Sequence, residues 1–172
     1  MIALSAIQLS REAKDDPEGT LLAGGSPMAA PDISSMTPAE RADRLFNRVM
    51  SLSSAGKTDS AAFFAPMAIS ALESLAPLTV HGRYDIGLVA LAAGDAPRAA
   101  AQADTILAEQ PTHLLGLVLA FRAASAMGNT AATGDFRRRL LAAETAERAR
   151  QLPEYRDHDT DISAAIAESR GR

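Results

Sequence analysis

Cysteine is absent from the 172 residues, which excludes disulfides and thiolate metal sites but leaves the compartment open. Tryptophan is also absent, and aromatic residues amount to only 4%. Lysine is nearly missing: of 17 basic residues only Lys14 and Lys57 are lysines, so arginine, with its capacity for bidentate pairing to carboxylates, carries the positive charge. Basic excess is lacking too. The net charge of −4 gives no nucleic-acid footprint. No apolar run is long enough to span a bilayer; the longest candidate, Met1 to Leu9, is about half the required length and has no basic region before it. What is plentiful is small and apolar. Hydrophobic residues reach 47%, much of it alanine, and β-branched residues are few, a composition that favours close-packed helices over sheet.

Residues 1–36 read as a flexible leader. Pro17, Gly19, Gly24, Gly25, Pro27 and Pro31 interrupt any helical or strand period. Two readings fit its first nine residues: a short amphipathic start, or the end of a membrane anchor that would tether the chain. An ordered domain is expected over 37–172. It opens at Thr37-Pro38-Ala39-Glu40, which has the form of a capping box with proline at the first helical position.

From there the chain reads as helical hairpins. Leu45, Phe46, Val49, Met50 and Leu52 fall at helical spacing, and Gly56 supplies a left-handed stop. Thr58 or Asp59 is expected to cap the next helix, with Pro66 kinking it or delaying its start. A second hairpin follows, with a first helix over about 82–93, a stop at Gly94, a cap at Asp95, and a second helix carrying Ala99, Ala103, Ile106 and Leu107 up to Pro111. The third is expected to start from a Thr112 cap and turn at Gly128. Its second helix begins near Thr130, or at Asp135 if Gly134 delays it, and runs to about Gln151. Residues 161–169, with Ile162, Ala165 and Ile166 on one side, predict a short helix covering the open end of the last hairpin.

The series Ile86-Gly87, Gly94-Asp95, Ala99, Ala103 and Pro111 returns in outline about 34 residues later, with Gly128-Asn129 in place of Gly94-Asp95, and a fainter copy precedes it at Gly56-Lys57. In order and spacing this resembles the tetratricopeptide repeat family, best over 80–113. The third unit departs by having Phe121 where Gly87 stood and Arg137 where Ala103 stood. The resemblance implies an all-α right-handed superhelix of about three antiparallel hairpins with a C-terminal capping helix, whose first helices line a concave groove. It implies a non-enzymatic adaptor that binds a peptide or helix of a protein partner; the alternative is an accessory subunit held permanently in a larger, membrane-associated or soluble complex. The groove-facing residues by this spacing are Phe46, Asn47 and Met50, then Tyr84, Asp85 and Leu88, then Val118, Arg122 and Ser125.

Other chemistry is poorly supported. Gly56-Lys57-Thr58 imitates the end of a phosphate-binding loop, but Ser51 stands where the motif needs glycine and a helix replaces the preceding strand. Asp157-His158-Asp159-Thr160-Asp161 offers metal donors, yet Ile162 takes the glycine position of a calcium loop, and an acidic run ahead of a helix is explained by the helix dipole. His81 and His113 precede first helices at comparable places, which the repeat explains. Arg137-Arg138-Arg139 reads as a solvated face near Glu144 and Glu147. No catalytic residue, cofactor or metal is expected from the sequence.

Overall fold

The computed structural model describes residues 36–171, so the leader lies outside the described residues except for Met36. The described residues form eight helices and no strand: α1 (Pro38–Ser54), α2 (Thr58–Glu73), α3 (Val80–Ala92), α4 (Ala96–Glu109), α5 (Leu114–Ala126), α6 (Thr130–Ala149), α7 (Pro153–Asp157) and α8 (Asp159–Ser169). The all-α expectation holds for them. Among the described residues no helix is long and apolar enough to cross a membrane.

Local chemistry sets the helix ends. At α1 the Thr37 side chain accepts from the Glu40 amide, and the Glu40 carboxylate accepts from the Thr37 amide at 2.9 Å, completing the capping box. The three hairpin turns share one construction. Gly56, Gly94 and Gly128 have φ of 70°, 80° and 68°. The amides of Lys57, Asp95 and Asn129 each reach back to the carbonyl five residues earlier, at 2.9, 2.8 and 2.9 Å. That left-handed glycine with a six-to-one bond satisfies the carbonyls orphaned at the helix end. Asp95 and Asn129 then cap the following helices by accepting from Arg98 and Ala132, each at 3.1 Å.

Several expected ends differ. Lys57, which has no side-chain acceptor, occupies the cap position of α2 in place of Thr58 or Asp59. Pro66 does not delay α2, which starts eight residues earlier at Thr58; Pro66 is exposed, as is Ala62, whose carbonyl it leaves without an intrahelical donor. α3 starts at Val80 from a Thr79 cap, so His81 belongs to the first turn of the helix. Of the two starts left open for α6, Thr130 is the one found: Gly134 sits inside the helix, and the Asn129 cap outweighs the propensity cost of one glycine. Thr112 does not cap α5: its hydroxyl donates to Glu147 at 2.6 Å, and the Leu114 amide is taken by the Tyr155 hydroxyl at 3.1 Å.

Packing runs in series. Hairpins α1–α2, α3–α4 and α5–α6 stack so that α2 lies on α3 and α4 on α5, while the first helices α1, α3 and α5 lie side by side. Two cores result, one around Phe64, Leu45, Val49 and Leu72 and one around Leu114, Leu115, Leu119 and Leu140. α3 serves both: Ile86 and Val89 enter the first, Tyr84 and Leu88 the second. Gly87 permits the closest approach, since a Cβ there would stand 2.3 Å from a methyl carbon of Leu119 on α5. Gly116 does the same for α5 against Ile106 and Leu107 of α4. α8 packs on α5 and α6, as the expected cover for the last hairpin, with α7 as an additional turn before it.

Candidate functional site

The face made by α1, α3 and α5 is the candidate site, and the C-terminal helices decide how much of it is open. Of the nine residues expected there, Tyr84, Asp85, Leu88 and Val118 are buried, Arg122 is half-buried, and Phe46 and Met50 pack partly buried on the same core as Tyr84 and Leu88. Asn47 and Ser125 are exposed. Phe46, Met50, Tyr84, Leu88 and Val118 thus share one core, while the α3–α5 part of the face lies beneath the segment that joins α7 to α8.

Two polar clusters hold that segment down. At the start of α5, buried Glu147 of α6 accepts from Tyr155 at 2.6 Å, from Thr112 at 2.6 Å and from Arg150 at 2.7 Å. Burial opposes its charge, yet these three donors outweigh it and keep its carboxyl below the usual 4.5. Burial likewise raises the Tyr155 phenol, and Glu147 beside it adds to the effect. His113, fully buried, stacks tilted on Tyr155 with centroids 4.8 Å apart, and its Nε2 lies 3.4 Å from Glu154. Desolvation holds its pKa below 6.5 despite that carboxylate.

The second cluster joins α8 to α3 and α5. Tyr84 donates to Asp161 at 3.3 Å, and Arg122 reaches the same carboxylate at 3.4 Å. Desolvation first, then the acids around it, push the Tyr84 phenol far up despite Arg122. The His158 ring meets both Tyr84 and His81 edge-on, each with centroids 4.7 Å apart. His81 Nε2 lies 3.2 Å from Asp85 Oδ2, and His158 Nε2 lies 3.6 Å from Asp85 Oδ1. The hydrogen bond to Asp85 raises the His81 pKa, whereas burial lowers that of His158. One donor atom from each of His81, Asp85 and His158 lies within 4.8 Å of the others, a set that could hold a metal ion.

The sequence reading missed this cluster because His81 and His158 are far apart along the chain and each had an adequate local explanation. The one available signal was the His81–Asp85 spacing, which places both side chains on one face of a helix. The arginine run lies on a solvated face as expected, with Arg137 and Arg138 exposed, but its partners are not Glu144 and Glu147. Arg137 donates to the Ser169 carbonyl at the end of α8, Arg138 pairs with Asp135 at 3.0 Å, and Arg139 donates to the Pro111 carbonyl at 3.1 Å. Glu144 pairs instead with Arg148 and Arg170.

A cleft of about 590 Å³ lies between the end of α6 and α7, lined by Arg148, Gln151, Leu152, Tyr155, Arg156 and Asp159. Arg148 there is already engaged with Asp159 at 2.6 Å. Compared with protein-family models, characterised proteins and solved structures, the chain gives no significant match.

Proposed function

We propose that the chain is a non-enzymatic scaffold of the tetratricopeptide-repeat kind, a right-handed superhelix that recruits a protein partner through the face of its first helices. The observation that carries this reading is the side-by-side placement of α1, α3 and α5 in serially stacked hairpins. The open part of the face supplies Phe46 and Met50 as apolar anchors, with Asn47 and Ser125 as polar contacts. Apolar anchoring with a few polar contacts suits an extended peptide or a partner helix.

A second reading, an accessory subunit held by a broad surface outside the groove, draws on a different observation. Phe63 on α2 is 55% exposed and Leu75 beyond its end is 37% exposed, both away from the groove-facing set. A photo-crosslinking amino acid at Asn47, at Ser125 or at Ala62 separates the two. The scaffold reading expects one partner captured from positions 47 and 125 and not from 62. Capture from 62 alone overturns it in favour of the subunit.

A further inference from the structure

Asp85 is 9% exposed, and its Oδ1 has no hydrogen-bond partner; neither has the buried Nε2 of His158, 3.6 Å away. Two buried polar atoms that face each other beyond hydrogen-bonding reach each cost about 1–3 kcal/mol unless something satisfies both. The rings are oriented alike. His81 turns Nε2 toward Asp85 and Nδ1 toward Asp157, 3.9 Å away; His158 turns Nε2 toward Asp85 and Nδ1 toward Asp161, also 3.9 Å away. At 3.9 Å neither carboxylate is yet hydrogen-bonded, but each stands a short movement from the bond that fixes ring orientation and raises donor strength in metal-bound histidines.

We propose that His81 Nε2, Asp85 and His158 Nε2 bind one divalent transition-metal ion of the zinc type, with water completing the coordination. Donors about 2.0–2.1 Å from a tetrahedral ion stand about 3.3–3.4 Å apart; His81 Nε2 is 3.2 Å from Asp85 Oδ2 and His158 Nε2 is 3.6 Å from Asp85 Oδ1, so a turn of the carboxylate lets one oxygen serve both. The widest separation, within 4.8 Å, contracts on loading. Two imidazoles and one carboxylate select such an ion over magnesium or calcium, which take oxygen donors. His81, 43% exposed at its side chain, gives the ion its way in. The bound ion cross-links the first turn of α3 to the start of α8, and so fastens the C-terminal segment over the inner face.

The test uses the whole chain, stripped with chelator and titrated with cobalt(II) and then zinc(II). One ion per chain is expected, with the strong visible absorption of four- or five-coordinate cobalt, bleached by zinc. His81→Ala, at a half-exposed position that leaves the helices intact by circular dichroism, is expected to remove the absorption and lower affinity at least about tenfold. Asp157→Asn is expected to keep the absorption and weaken binding about tenfold. Absence of the absorption in the unsubstituted chain, or its persistence in folded His81→Ala, overturns the site.

Discussion

Single residues in this chain carry consequences that composition hides. His113 is fully buried with Nδ1 unpartnered, and burial keeps it neutral in the fold. Its folded pKa lies below the ordinary 6.5, so the stability it supports is complete above 6.5 and is lost as pH falls toward the folded value. Glu147 acts in the same direction over a lower window. Its folded pKa is below 4.5, so the stability from its three donors is present above 4.5 and lost on further acidification. Thermal unfolding of His81→Ala, which removes the opposing histidine whose folded pKa is raised by Asp85, is therefore expected to show, by circular dichroism, a midpoint that falls from about pH 6.5 downward, with a second decline below about pH 4.5. A midpoint that is flat or rising on acidification through the first window contradicts the buried neutral His113. Neither role was legible in the sequence. Thr112 looked like a local cap, and Tyr155, which takes the Leu114 amide, stands on α7.

At the scale of elements, turns were readable and burial was not. The capping box at Thr37, the left-handed glycines at 56, 94 and 128, and the caps at Asp95 and Asn129 all follow from residue chemistry within a few positions, and all are present. α3 and α5 are different. Residues 84–90 are buried without interruption, as are 113–121, so these helices show no polar stripe to mark which side meets a partner. That is why Tyr84 and Val118 could be placed on the inner face yet not recognised as covered. Glycine has opposite meanings in two such helices. At Gly87 an alanine meets Leu119 at 2.3 and 2.7 Å, whereas at Gly134 it meets only the end of Arg138 at 3.8 Å. Gly87→Ala is expected to lose about 1–2 kcal/mol, overpacking exceeding the propensity gain, and Gly134→Ala to gain about 1 kcal/mol. Urea unfolding of the two variants checks this; a stabilised Gly87→Ala would mean that α3 and α5 are not in close approach.

For the whole molecule, the chain closes on itself. Stacked hairpins would present an open inner face, but α7 and α8 fold back over its α3–α5 half through Tyr155–Glu147 at one end and His158, Asp161, Tyr84 and Arg122 at the other. The covering helix at 161–169 was legible from its apolar side, Ile162, Ala165 and Ile166, all buried. Its attachment to α3 was not, because it depends on polar pairs between residues that no local pattern connects. This closure narrows the part of the face left open, and it assembles the two histidines around Asp85.

Scarce aromatics make the closure directly observable by nuclear Overhauser spectroscopy of the ring protons. With centroids 4.7 Å apart, the His158 ring is expected to give cross-peaks to the rings of both Tyr84 and His81. A His158 ring with no cross-peak to either, and with the shifts of a free histidine, would contradict the closed inner face.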